Sequence, residues 1–174
     1  MMGQQGRAHS FLLLGLLAGL IIAADQLTKW LIMSRFGLYE IKEIVPGFFN
    51  LTYLHNTGAA FGLLANANPA WRPYFFIGVA VLALVFVFFA FRQYRHRSAG
   101  YLFAFAFIGG GAVGNLIDRV RFGSVVDFLD FYVSTYHWPA FNVADSAIVV
   151  GVGLFLLTSL LDRDEGREEG KIKE

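Results

Sequence analysis

Four stretches of this chain are too apolar and too long to belong in water. Residues 73–91 and 98–117 carry no charged side chain. Residues 10–33 carry only Asp25 and Lys29, and residues 140–161 only Asp145. A helix crosses a hydrocarbon core roughly 30 Å thick with about 20 residues, at about 1.5 Å of rise each. Each run is therefore long enough to span. Composition agrees: 56% of residues are hydrophobic and 16% charged, against about 25% charged in a soluble domain. The mean hydropathy is +0.55. A net charge of +1 gives no footprint for nucleic acid. The absence of cysteine excludes disulfides, thiolate metal sites and a cysteine nucleophile. The first run has the basic Arg7 before it and Ala23-Ala24 near its end, as a secretory signal peptide would. Its apolar pattern resumes at residues 30–33, which favours a retained span.

Lysine and arginine near span ends set orientation. The loop after the second span carries Arg92, Arg95 and Arg97, and with four spans it shares a side with both termini. Arg7, Arg163, Arg167, Lys171 and Lys173 join it there, against Arg35, Lys42, Arg72, Arg119 and Arg121 opposite. The bias puts both termini and the arginine loop inside. Residues 162–174 form a charged tail. On the outer side, residues 34–72 are too long for a plain linker and are expected to have structure of their own. Phe49, Leu51, Tyr53 and His55 alternate with Asn50, Thr52 and Leu54, which reads as a half-buried strand. Residues Ile41–Val45 suit a partner strand, with Pro46-Gly47 as the turn. Residues 59–65 suit a short interfacial helix.

Ionisable groups at membrane depth are costly and need a reason. Asp145 is expected roughly 8 Å along the fourth span, from a rise of about 1.5 Å per residue. Asp127 is expected in the second outer loop, among Val125, Val126 and Phe128. Two carboxylates in one partly dry site cannot both ionise cheaply, so one keeps its proton. That suits peptide hydrolysis: the ionised acid takes a proton from water while the protonated one polarises the carbonyl. The same residues also suit two capping aspartates. Asn142 stands three residues before Asp145, placed to cap the helix or to bond the acids. Arg119 suits a phosphate head group or the orientation of an acid. Asn56 and Gly58 read as a turn or as a polar lip beside the site. Asp25 and Lys29 read as a structural i,i+4 ion pair. Gly110 and Gly114 have the spacing of close helix packing.

Other chemistries fit less well. His55 and His137 with the two acids raise zinc, but no metallopeptidase motif is present. Ser146 adjoins Asp145 without a nucleophile elbow. A transporter would place its acids at mid-membrane within repeated or broken helices. Here the acids gather toward one face and no repeat is seen. A non-enzymatic scaffold would not require two acids flanked by Asn and Arg.

Five blocks together resemble the bacterial lipoprotein signal peptidases, also called signal peptidase II. They are Asp25-Gln-Leu-Thr-Lys29, Asn56-Thr-Gly-Ala-Ala-Phe61, Gly114-Asn-Leu-Ile-Asp118-Arg119, Val125-Val-Asp127-Phe128 and Phe141-Asn-Val-Ala-Asp145-Ser146. The resemblance implies a membrane protein of four transmembrane helices with a small outer β-cradle and a short interfacial helix. It implies an aspartic endopeptidase of the bacterial cytoplasmic membrane, acting just before the diacylglyceryl-modified cysteine of prolipoproteins. The family's catalytic aspartates match Asp127 and Asp145. Its site-lining residues match Asn56, Gly58, Asn115, Arg119 and Asn142, and Asp25, Lys29 and Asp118 match structural positions. The resemblance implies no metal or organic cofactor. A monomer surrounded by phospholipid, with its site toward the outer face, is the expected arrangement.

Overall fold

A computed structural model describes the backbone of residues 4–58 and 70–172, and side chains within 9–58 and 70–162. Among the described residues four helices form: α1 (Gln4–Arg35), α2 (Arg72–Tyr94), α3 (Ala99–Phe122) and α4 (Val143–Ile172). Each contains a stretch long and apolar enough to cross a membrane. Strands β1 (Ile41–Val45), β2 (Phe49–Asn56), β3 (Val125–Val133) and β4 (Tyr136–His137) make an antiparallel sheet in the order β1-β2-β3-β4. The interfacial helix expected at 59–65 lies outside the described residues.

The bundle is built around α3. Its start is capped by Ser98, whose side chain accepts from the Gly100 backbone N–H. Its end is closed by Gly123 in the left-handed conformation at φ 71°, which glycine adopts without a Cβ clash. A Cβ on Gly110 would stand 3.0 Å from the Ala18 carbonyl oxygen of α1, and one on Gly114 only 2.6 Å from Asp25 Oδ2. Small residues here let α1 and α3 approach closely, as the Gly110–Gly114 spacing predicts. Aromatic side chains fill the far end, where Phe91, Tyr101 and Phe105 form a buried cluster. The outward surface is apolar instead: Leu82 and Phe86 of α2 are 70% and 73% exposed. Such a surface is stable against lipid and not against water.

The sheet departs from the sequence reading in two ways. The β1–β2 hairpin forms as expected around Pro46-Gly47, with Gly47 at φ 75°. Its inward side chains, however, are the polar Asn50 and Thr52 rather than the apolar alternates. Each has a partner that repays burial: Asn50 donates to Asp130 Oδ2 at 2.8 Å, and Thr52 to the Glu40 carbonyl at 3.0 Å. The second departure matters more. Residues Val125–Val133, expected as a loop, form β3, and Asp127 pairs across to Leu54 of β2. Its first four residues are all buried, so no polar-apolar alternation marks the strand.

Helix α4 also begins later than the expected residue 140. It starts at Val143, which puts Asp145 in the first turn rather than about one and a half turns deep. Asn142 sets that start. Its side-chain oxygen accepts from the Asp145 backbone N–H at 2.9 Å, and Asp145 Oδ2 accepts from the Asn142 N–H at 3.3 Å. This reciprocal pair is a capping box built from Asn and Asp.

Candidate active site

The site begins with a buried cation in the bundle. Lys29 of α1 is 1% exposed, a burial that an ammonium tolerates only when its donors are satisfied. All three are used. They reach Asp25 Oδ2 at 2.9 Å, Asp118 Oδ2 at 2.8 Å and Asn115 Oδ1 at 3.0 Å. Each of the two carboxylates also accepts from a backbone N–H. Asp25 Oδ1 accepts from the Ala144 N–H at the head of α4, at 2.9 Å. Asp118 Oδ2 accepts from the Val126 N–H at the head of β3, at 3.1 Å. One charged knot in α1 and α3 thus pins the two elements that carry Asp145 and Asp127. The expectation that Asp25 and Lys29 pair is met, and Asp118 is fully inside the same knot.

Three asparagines hold the acids, and Asn115 ties them to the knot. Asn115 takes the Lys29 proton donor on its oxygen and donates from Nδ2 to Asp145 Oδ1 at 2.7 Å. Asn142 donates from Nδ2 to Asp127 Oδ1 at 2.7 Å while its Oδ1 caps Asp145. Asn56 of β2 donates to Asp127 Oδ2 at 2.9 Å. Asn142 therefore touches both acids and is itself wholly buried. The two readings left open for it, cap and site ligand, are both realised by one side chain.

Asp127 and Asp145 open into the same cavity of about 1020 Å³, at the upper end of the roughly 300–1,000 Å³ usual for ligand pockets. The β-sheet supplies Leu54, His55 and Val125 to its wall, and α4 supplies Ile148 and Val149. Asn56, Gly58, Asn115 and Arg119 line it as well. Arg119 Nη2 donates to the Gly58 carbonyl at 3.1 Å, and its guanidinium lies 4.3 Å over the Phe76 ring. Its Nη1 is buried with no partner among the described residues. Asp127 is 2% exposed. Burial, and next the negative charge of Asp145, push its carboxyl up to about 7, against the pull of Asn56, Asn142 and Lys29. Near neutral pH the pair can hold a single proton, which equips it for acid–base work on a bound carbonyl.

Residues not singled out in the sequence also shape the site. Gln26 donates to Asp118 Oδ1 at 2.9 Å and to the Gly114 carbonyl at 3.2 Å, which seals the knot. Its signal was its place between Asp25 and Lys29. Ser124 meets His55 Nδ1 at 2.6 Å, and Tyr53 meets His55 Nε2 at 2.9 Å. His55 is thus tied into the cavity wall, while His137 pairs with Asp130 at 2.8 Å. Among the described residues no group of three His, Asp or Glu side chains has a metal-holding arrangement. Ser146 donates back to the Asn142 carbonyl at 2.9 Å, as a helix side chain satisfying its own turn.

Comparison with solved structures gives the class. Two bacterial membrane enzymes share the fold. One superposes with a TM-score of 0.76 at 33% identity, covering 86% of this chain and 88% of its own. The other gives 0.74 at 31%, covering 83% and 90%. This is the architecture of a multi-pass membrane enzyme. The family model for signal peptidase (SPase) II matches residues 17–161. The chain is 53% identical over 152 residues to a lipoprotein signal peptidase of Syntrophotalea carbinolica, covering 87% of this chain and 93% of that one. It is 48% identical over 147 residues to one from Serratia marcescens, covering 84% of each. The chain belongs to the signal peptidase II family and is a membrane peptidase.

Proposed function

We propose that this peptidase removes signal peptides from prolipoproteins by an aspartic mechanism centred on Asp127 and Asp145. The observation that carries the proposal is Asn142, whose Nδ2 donates to the Asp127 carboxyl while its Oδ1 caps the Asp145 backbone N–H and its own N–H donates to the Asp145 carboxyl, behind one apolar-walled cavity. Asp127 keeps the shared proton, because burial and the neighbouring charge disfavour its ionised form. Asp145 is the ionised partner, held by Asn115 and the α4 cap. Water enters between them. Asp145 takes its proton as the oxygen bonds to the scissile carbonyl carbon, while Asp127 donates to the carbonyl oxygen. Collapse of the tetrahedral diol returns a proton to Asp127. The proton held by Asp145 passes to the leaving amine as the C–N bond breaks. No covalent enzyme intermediate forms. Arg119 Nη1, which has no partner among the described residues, is available to a substrate carbonyl.

The substrate carries diacylglycerol on the lipobox cysteine and is cut just before it. A lipid anchor and an apolar signal helix both keep that bond near the membrane surface, the depth of the first turn of α4. By the charge bias both termini face the cytoplasm and the cavity faces outward. The enzyme works as a monomer among phospholipids. The test uses purified protein in detergent with a diacylglyceryl prolipoprotein. Asp127→Asn and Asp145→Asn should each lower kcat by about 10³-fold or more, at the strong end of acid–base effects, while the protein still inserts and folds. Near-wild-type turnover in either variant defeats the mechanism.

A further inference from the structure

Away from the catalytic cavity, α2 and α4 both pack on α3 and leave an apolar groove of about 520 Å³ between them. Its α2 wall is Ala83, Phe86, Val87 and Ala90, spaced to fall on one helix face. Its α4 wall is Val152 and Phe155. Both walls lead back to the catalytic cavity. On α4 the stripe Asp145, Ile148, Val149, Val152, Phe155 follows one face, and its first three members line the cavity while the last two line the groove. On α2 the same face continues outward to Phe76, which stacks under the cavity residue Arg119. The groove therefore lies in line with the cavity, along the same faces of α2 and α4.

We propose that this groove between α2 and α4 seats the apolar helix of the substrate's signal peptide, with the bond to be cut at Asp127 and Asp145 and the helix running inward over Ile108 and Phe105. The inference rests on the signal-peptide reading above and deepens it. The dimensions agree. From Asp145 to Phe155 the stripe rises about 15 Å at about 1.5 Å per residue. A signal peptide's apolar core of roughly 7–15 residues is about 10–22 Å long as a helix. Charge agrees as well: every groove-lining residue is uncharged, with Gln93 and Tyr94 as polar groups at its inner end. Small Ala83 and Ala90 on one wall suit close approach of a second helix, as small residues do between membrane helices. A lipid acyl chain needs no such continuity with the catalytic acids.

The test exploits a chain that has no cysteine of its own. Single cysteines are placed at Ala83 (Ala83→Cys), at Val152 (Val152→Cys) and, as a control, at Val85 (Val85→Cys), which is 46% exposed on the far side of α2. The prolipoprotein carries one cysteine in its apolar core, and the Asp127→Asn background holds it uncut. Oxidation should cross-link the substrate to the groove positions and not to Val85→Cys. Independently, with the wild-type acids, Ala90→Trp should raise KM about tenfold with kcat unchanged, the mark of lost ground-state binding. Val85→Trp should leave both constants alone. Equal cross-linking at Val85→Cys, or no cross-link at the groove together with an unchanged KM in Ala90→Trp, overturns the proposal and leaves the groove to acyl chains. Cleavage in the Asp127→Asn background would instead sink the aspartic mechanism, and the KM comparison would still decide the groove.

Discussion

Asp145 and Asp127 meet in one cavity, yet they are held there by different parts of the molecule. Asp145 belongs to the bundle. It sits in a helical first turn, is capped reciprocally by Asn142, and is bonded by Asn115, which in turn rests on Lys29. Asp127 belongs to the sheet. It lies on β3, pairs with β2, and takes its second donor from Asn56 at the end of that strand. The bundle's hold ends in a fully buried ion cluster, whereas the sheet's outer strand β1 is exposed along its whole length. Under the proposed function, a peptidase that admits a lipid-anchored substrate gains from this division. One acid is fixed to the helical bundle, and the other rides on the sheet. Asn142 is the joint between them.

The most damaging way to test the bundle's side is Lys29→Met. It leaves Asp25 and Asp118 buried without their shared cation, and breaking a buried pair costs about 3–5 kcal/mol. Thermal unfolding in detergent should show a large drop in stability, with cleavage lost because Ala144 and Val126 lose their anchors together. If Lys29→Met unfolds like the wild type, the knot does not hold the two elements and the comparison collapses. The joint is tested by Asn142→Ala. Loss of the cap alone is worth about 1 kcal/mol, so the protein should fold. The acids would then be free to separate, and a misplacement near 1 Å can cost about 10²-fold in rate. The expected result is a kcat about a hundredfold lower at an unchanged KM. A change confined to KM would mean that Asn142 serves binding instead.

On the sheet's side, Asn56→Ala separates the two acids by pH. In the proposed mechanism Asp127, raised to about 7, acts in its protonated form, so it sets the alkaline limb of the kcat profile, which falls as pH rises through that value, while the ionisation of Asp145 sets the acid limb. Asn56 donates to the ionised carboxylate and so lowers its proton affinity. Removing it should raise the Asp127 value further and carry the alkaline limb to higher pH. A limb that stays in place, or moves to lower pH, would mean that Asp127 does not hold the proton in the active enzyme.

The contrast between bundle and sheet also tracks what the sequence could reveal. Helices α2 and α3 follow from their charge-free length alone, since little but a membrane accommodates such runs. Asp25 and Lys29 announced their pairing by i,i+4 spacing. The sheet was harder to read. Val125–Val133 shows no alternation because its first four residues are buried whichever face they occupy. The inward Asn50 and Thr52 read as solvent-facing because their partners, Asp130 and the Glu40 carbonyl, are distant or main-chain groups. Ala140 and Phe141 extend the apolar run and so mask the start of α4, although Asn142 and Asp145 carry the spacing of a capping box. The meeting of Asp127 and Asp145 is a tertiary fact: Asn142 lies three residues from one acid and fifteen from the other, and only the second contact creates the pair.

The smallest effect is expected at the sheet's outer tip. The Tyr132 hydroxyl donates to Glu43 at 2.6 Å and accepts from the Gly47 N–H at 2.9 Å, closing the β1–β2 turn against β3. The bond to Glu43 raises the phenol above its ordinary range, so the proton stays on tyrosine across the working pH. These groups face water, where a hydrogen bond to protein replaces one to solvent with little net gain. Tyr132→Phe should therefore leave kcat, KM and the pH profile at wild-type values. Glu43→Gln should return the Tyr132 phenol toward its ordinary range, as read by absorbance titration against Tyr132→Phe. A fall in kcat in Tyr132→Phe would show that the tip transmits its position along β3 to Asp127. The sheet would then be held as stiffly as the bundle, and the division of labour between the two acids would have to be abandoned.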